Sequence, residues 1–268
     1  MRQYVARNNF DSKGILCIEG KDFRYLRRVL RLKTGDMLNL RLPGGELVNA
    51  TVCVIDDAAG KIMIQQAAKT NPAAAENMPV ESDSPKWWLF QLLPQPKKME
   101  LIVRQAVECG VSYIVPVAGE YSQKSSIESL KKENSKSSRF ERIIKEARQQ
   151  SGSPIETQFL PLCSIKEAIA LWKEQISADK DMHVAFALYE LTSGTRDLYS
   201  ALSFEGKCSN AAIFTGCEGG ISPGEIEFLK DSGFIPVHFK TNILRCETAA
   251  LYGMAALQNA IMEKEKWH

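Results

Sequence analysis

The sequence predicts an α/β protein in two parts, a small all-β unit followed by a larger domain built on a mainly parallel sheet. Three observations carry this expectation. Short alternating apolar segments fill the first part: 37–42, a turn at Pro43-Gly44-Gly45, 47–54 and 62–65. Composition then breaks at Thr70, where Pro72, three alanines, Pro79, Ser82, Ser84 and Pro85 read as a connector. Beyond it the rhythm changes to apolar strands spaced by amphipathic helices. The expected boundaries are 1–70 for a small β-barrel, 71–86 for the linker and 87–268 for the α/β domain.

In the second part the pattern predicts a strand over 87–93, a helix over 99–109 stopped by Gly110, and a strand over 111–117. A helix over 138–150 stopped by Gly152, an amphipathic segment over 164–176 and a strand over 183–189 follow. Parallel sheets of this kind bind ligands at the carboxyl ends of their strands.

Two strand-to-helix loops near the C-terminus are the most informative. Residues 211–215 suit a buried strand, after which Gly216, Gly219 and Gly220 remove three side chains from five positions. Main chain can approach a ligand there, or take positive φ; an ordinary turn is the competing reading. In Ser222-Pro223-Gly224-Glu225, Ser222 caps a helix, Pro223 opens it and Glu225 closes a capping box, with Ile226, Phe228 and Leu229 as the apolar face. The plan then repeats. Residues 234–239 alternate like a strand, 240–245 form a loop, and 247–263 form a helix whose Ala249, Ala250, Gly253 and Ala256 permit close packing. No Gly-Lys-Ser/Thr ends the loop, which disfavours a phosphate loop, and a GxGxxG fingerprint is absent too.

With 268 residues, 44% hydrophobic and 25% charged, the chain can bury one or two ordinary cores. Its seven cysteines contain no CxxC pair and it has three histidines, so no metal is expected and the thiols read as reduced. The start of the chain carries Arg2, Arg7 and Asp11 without an apolar core, and no apolar run approaches a membrane span; a soluble cytoplasmic protein is expected.

A net charge of +2 hides local excesses: residues 1–50 hold ten Lys/Arg against five Asp/Glu, and 121–150 hold eight against four. Read as a helix at 3.6 residues per turn, 22–31 places Arg24, Arg27, Arg28 and Arg31 on one side and Phe23, Leu26, Val29 and Leu30 on the other. Four arginines without an interleaved acid suit phosphate contact, against the plainer reading of a solvated face. In 121–150, Glu128, Glu133, Glu141 and Glu146 can pair with basic neighbours.

The two loops, 214–225 and 242–249, resemble the GPEGG-F-S and LGxRILRxETA signatures of the 16S rRNA uracil-N3 methyltransferase family (RsmE), a branch of the SPOUT methyltransferases. The opening Met1-Arg2-Gln3-Tyr4-Val5, the segment 26–36 (family HLxxVLRxxxGD), the segment 96–111 and the 139–152 stretch ending Gln150-Ser151-Gly152 are similar to the same family, in order along nearly the whole chain. The pattern departs at Cys217 (family Pro), Phe239 (Leu), Lys240 (Gly), Asn242 (Arg), Tyr25 (His), Gln149 (Glu) and Ser153 (Arg).

The resemblance implies a trefoil-knotted SPOUT domain preceded by a PUA-like RNA-binding barrel, a homodimer, S-adenosylmethionine as methyl donor, and 16S rRNA of the small ribosomal subunit as partner. It implies donor contacts at Leu188, Tyr189, Glu190, Thr215, Gly216, Cys217, Glu218, Gly219, Gly220, Phe239, Asn242, Ile243, Leu244, Arg245 and Thr248. Adenine recognition is expected mainly from main-chain groups. RNA contacts are expected at Arg2, Arg24, Arg27, Arg28 and Arg31.

Methylating uracil N3 requires a weakly acidic proton to leave while charge develops on the carbonyls. Arg245 is the candidate for that charge and the one evident cation of the loops. Glu247 or Glu218 can accept a proton; equally, Glu247 caps its helix and Glu218 binds backbone amides. Two alternatives stay open, a non-catalytic SPOUT-like RNA-binding dimer and a SPOUT enzyme acting on another RNA.

Overall fold

Alternation in strands such as 15–19 and 61–66 gives them a buried and a solvent side within a five-stranded mixed sheet. The computed structural model describes residues 3–67, 84–133, 138–177, 181–203 and 206–266. The chain divides into two compact units, Met1–Val80 with Arg148–Pro154, and Glu81–Ala147 with Ile155–His268. Arg2 and most of the expected linker, 71–83, lie outside the described residues.

The first unit contains β1 (Gln3–Val5), β2 (Ile15–Glu19), α1 (Gly20–Arg24), β3 (Met37–Arg41), β4 (Leu47–Asp56) and β5 (Lys61–Gln66), with the sheet ordered β1-β3-β4-β5-β2. β1 runs parallel to β3 and the remaining pairs are antiparallel. Leu16, Ile18, Leu40, Val48, Val52, Ile62 and Ile64 point inward onto Tyr4 and Phe23, and the sheet curls around them as a PUA-like half-barrel. Pairing shifts between Val52 and Val54, leaving Cys53 out of the ladder as a bulge that bends β4. The expected 43–45 turn forms, with Gly45 at φ 85°.

Arg148–Pro154 belongs to this unit because of one buried guanidinium. Arg41 is 3% exposed and donates to Gln3 Oε1 at 2.8 Å, Gly45 O at 2.6 Å and Gly152 O at 2.9 Å. Gln3 Nε2 in turn donates to Arg148 O at 2.8 Å. Burial lowers the Arg41 pKa, and neighbouring Arg148 adds to this; these acceptors compensate the desolvation.

The arginine-bearing segment is not the single regular helix expected over 22–31. After α1 the chain winds into a π-helical turn, Tyr25–Val29, with Leu30 N–H donating to Tyr25 O and Leu32 N–H to Leu26 O, both at 3.1 Å. Leu26 is fully buried and anchors the turn, whereas Val29 is 61% exposed, against the expectation of an apolar position. The wider register rotates side chains away from 3.6-residue spacing. Arg24, Arg28 and Arg31 are exposed. Arg27 folds back, donating to both carboxylate oxygens of Asp57 at 2.9 and 2.8 Å and to Leu32 O at 3.1 Å.

The second unit follows the expected strand-helix rhythm. It holds β6 (Lys86–Leu92), α2 (Pro96–Glu108), β7 (Tyr113–Ala118), α3 (Lys124–Glu133), α4 (Ser138–Ser151, its end belonging to the first unit), β8 (Gln158–Phe159), β9 (Cys163–Ser164) and α5 (Ile165–Ser177). β10 (Met182–Leu188), α6 (Leu198–Ala201), β11 (Cys208–Thr215), α7 (Pro223–Asp231), β12 (Ile235–Val237) and α8 (Cys246–Lys266) complete it. Every pairing is parallel, in the order β12-β10-β11-β6-β7-β8. β12 has three residues, shorter than the 234–239 strand expected, because Phe234 turns into the core and the chain leaves the sheet at His238.

Strict alternation sends side chains to two cores, as a parallel sheet covered on both faces requires. On one face Leu89, Ile114, Phe186 and Ile213 meet Met99, Ile102, Val103, Ile143, Met254 and Leu257. On the other, Trp88, Phe90, Val115 and Phe214 meet Ile169, Trp172, Ile226 and Leu229. Phe228, expected on the apolar face of α7, is 38% exposed, so two residues anchor that helix. The small residues of α8 act as expected: a Cβ on Gly253 would collide with Leu188 Cδ1 and lie 2.7 Å from Ile213 Cδ1.

Candidate active site

Parallel strands deliver their following loops to one edge of the sheet, and the ends of β10, β11 and β12 are adjacent there. The joint is fixed from beneath by Gln91, fully buried at the end of β6. Its amide donates to Gly216 O at 2.8 Å and Leu92 O at 2.9 Å, and its Oε1 accepts from Thr215 Oγ1 at 2.6 Å. Thr215, expected to touch the donor, is therefore fully buried under the site with its hydroxyl bound.

The glycine-rich loop closes on itself. Gly220 N–H donates to Cys217 O at 3.0 Å, and Gly220 has φ 77°. A Cβ on Gly216 would stand 2.7 Å from the Gly220 carbonyl carbon, and one on Gly220 would stand 2.9 Å from Glu190 Oε1. The main chain is thus bare where the strand ends meet. Gly219 faces elsewhere: a Cβ there would lie 2.8 Å from Tyr121 Cβ, in the turn after β7. Cys217, where the family has proline, is buried and keeps the turn by directing its thiol to Gly220 O at 3.8 Å.

The capping box read from the sequence is present. Ser222 Oγ accepts from Glu225 N–H at 3.3 Å and Glu225 Oε2 accepts from Ser222 N–H at 2.8 Å. On the other side, Tyr189 N–H donates to Val237 O at 3.0 Å and His238 N–H donates to Arg196 O at 3.0 Å. His238 Nδ1 lies 3.2 Å from Tyr189 O. A carbonyl only accepts, which assigns a proton to Nδ1.

A cavity of about 480 Å³ opens between these loops, within the range of nucleoside-sized ligands. Leu188, Tyr189 and Glu190 line it from β10, residues 216–220 from β11, and Phe239, Asn242, Ile243, Leu244 and Arg245 from the last loop. Ile243 is 88% exposed, so its side chain holds nothing in place. Arg245 is exposed at the start of α8, its carbonyl accepting the first helical bond from Ala249 N–H at 2.7 Å. Thr248 is exposed on α8, outside this lining.

Arg245 is not the one cation here, as the sequence suggested: Lys98, from the first turns of α2, also lines the cavity. Its Nζ lies 3.2 Å from Glu218 Oε1 and 3.8 Å from Glu247 Oε2. Glu218 Oε1 also accepts from Gln95 N–H at 3.1 Å, in line with the amide-binding role weighed for it. Burial, the largest single influence, opposes the charge on Lys98, but the hydrogen bond to Glu218 and the charges of Cys246, Glu218 and Glu247 together outweigh it and raise its pKa. Burial likewise opposes ionisation of Glu247, yet its own N–H, the Cys246 thiol, Lys98 and Arg245 together hold its carboxyl below the usual range. Burial, then the bond to Glu247, pushes the Cys246 thiol up to about 12. Lys98 and Gln91 escaped sequence reading because neither lies near the glycine loop in the chain. Among the described residues no group of three His, Cys, Asp or Glu could hold a metal, and no helix is long and apolar enough to cross a membrane.

The parallel α/β sheet with this nucleoside-sized cavity at its carboxyl edge lies in the span, residues 81–258, that the RNA methyltransferase domain family model matches. A curled mixed-sheet half-barrel followed by a parallel α/β sheet is consistent with the expected PUA-like barrel and SPOUT domain. Ribosomal RNA small subunit methyltransferase E 2 of Borreliella burgdorferi is 28% identical over 266 residues, covering 95% of this chain and 96% of that one. The small subunit methyltransferase E of Bacillus subtilis is 25% identical, covering 94% and 93%. The crystal structure of a ribosomal RNA small subunit methyltransferase E from Neisseria gonorrhoeae, bound to S-adenosyl methionine, superposes with a TM-score of 0.72 at 21% identity, covering 97% and 98%. The chain belongs to the RNA methyltransferase domain family, and its curated relatives named here are ribosomal RNA small subunit methyltransferases E.

Proposed function

We propose that this protein methylates N3 of a uridine in 16S ribosomal RNA of the small subunit, with S-adenosylmethionine as donor. The observation that carries the reading is the cavity between the three loops, lined by Lys98, Glu218 and Arg245, with Glu247 paired to Lys98. Bare main chain at Gly216 and Gly220 suits the edge of an adenine, Leu188 and Phe239 suit its faces, and Glu190 suits a ribose. When bound, S-adenosylmethionine supplies an electrophilic methyl carbon on a sulfonium.

This chain's residues have two tasks. The loops hold donor and base in fixed relation, and Arg245 offers a planar cation to charge building on the uracil carbonyls. A carboxylate held below its usual range is a weak proton acceptor, which favours a fixed negative charge over a proton-acceptor role for Glu247. Arg24, Arg28 and Arg31 on the first unit are exposed for phosphate. We infer a homodimer in the cytoplasm on the strength of the family resemblance. The test is incubation of purified protein and donor with small subunits from a strain lacking the gene, followed by nucleoside mass mapping. N3-methyluridine in 16S RNA is expected. A modified transfer RNA instead, or donor binding without transfer, would replace this reading with one of the two alternatives.

A further inference from the structure

The two donor-facing loops carry like charges at the same place, Glu218 after β11 and Glu247 in the first turn of α8. Two carboxylates drawn together repel unless a cation stands between them. Lys98 supplies it from a third element, 3.2 Å from Glu218 and 3.8 Å from Glu247. Its side chain is 30% exposed, Glu218's 26% and Glu247's 15%, so solvent screens the group only in part. Gln95 N–H adds a main-chain bond to the same Glu218 oxygen, at 3.1 Å. The start of α2 thereby grips both loops, and Lys98 and Glu218 themselves line the cavity.

We propose that Lys98 is a positioning residue that clasps the two donor loops in their binding geometry. This deepens the proposed function and rests on the donor site described above. Without the ammonium the carboxylates separate and the 217–220 and 245–249 segments open. The effect on donor affinity matches the loss of one charge-assisted hydrogen bond and the neighbouring ion pair, about tenfold or more. Arginine reaches both carboxylates with its own cation, so Lys98→Arg restores most of what Lys98→Met loses. In Lys98→Met/Glu218→Gln the repulsion is also gone, and the double variant binds donor no worse than Lys98→Met alone.

The experiment joins two measurements on the full-length protein. Amide hydrogen exchange of the free protein should rise in 217–220 and 245–249 in Lys98→Met and stay unchanged in the half-barrel. Calorimetry with S-adenosylmethionine should show the affinity order wild type, Lys98→Arg, Lys98→Met. Unchanged exchange in those segments, or wild-type affinity in a folded Lys98→Met protein, overturns the clasp. Methylation of small subunits by the wild-type protein reports separately on the function, so exchange results stand whichever way that assay falls.

Discussion

Glu225 Oε1 accepts a hydrogen bond from the main-chain N–H of Glu120 at 2.7 Å, while its Oε2 closes the capping box on Ser222 at 2.8 Å. One carboxylate therefore both starts α7 and pins the 119–122 turn, and that turn carries Tyr121 onto Gly219. Glu225→Ala should cost about 2 kcal/mol, from a lost cap and a lost charge-assisted bond. At this chain length that is a fall of roughly 4–8 °C in Tm. Glu225→Gln keeps one acceptor and should fall between. Thermal unfolding of the three proteins settles it, and an alanine variant as stable as wild type would remove the link.

The Gly219–Tyr121 contact changes how a substitution at Gly219 acts. A side chain there meets Tyr121 rather than entering the cavity, so Gly219→Ala should weaken donor binding by displacing the loop, at an overpacking cost of about 1–3 kcal/mol. Tyr121→Ala does not relieve the clash, because the nearest atom is Tyr121 Cβ at 2.8 Å. Gly219→Ala with Tyr121→Gly should recover affinity. Calorimetry of the pair checks this; no recovery would place the alanine methyl against the ligand.

Arg245 should carry the largest catalytic share. Arg245→Ala should lose ~10²-fold or more in single-turnover rate with donor affinity largely kept. Arg245→Lys, which retains charge but not the planar fork, should be intermediate. Near wild-type turnover in the alanine variant would refute the role.

The arginines of the first unit should separate into two kinds. Arg24→Ala with Arg28→Ala should lower the salt slope of RNA binding by about 2, with donor affinity unchanged. Arg27→Ala should instead lower Tm, because Arg27 holds Asp57 and Leu32 O. An unaltered slope in the double variant returns Arg24 and Arg28 to a solvated face.

Acid should release the Glu247 contribution. Its folded pKa lies below the unfolded value of about 4.3, so the folded state binds fewer protons as the group titrates. The stability it contributes is complete above that unfolded value and is lost as pH falls through the depressed one. Tm of Glu247→Gln should therefore decline less steeply than wild type between neutrality and about pH 3. Parallel curves would show that Glu247 is not held ionised by its neighbours.

What the sequence determined by itself is what local physics decides. The apolar run over 87–93 announced a strand, Ser222 and Glu225 lie three positions apart and meet at a helix start, and Gly216 with Gly220 announced bare main chain. What only the tertiary structure decided rests on distant partners. Gln95 meets Glu218 across 123 positions, and Gln91 meets Gly216 across 125. No periodicity marks such a residue, because its neighbours are chosen by strand order. The arginine segment shows the same limit at short range: the π-turn over Tyr25–Val29, with Leu26 buried and Val29 exposed, departs from the 3.6-residue spacing read from the sequence.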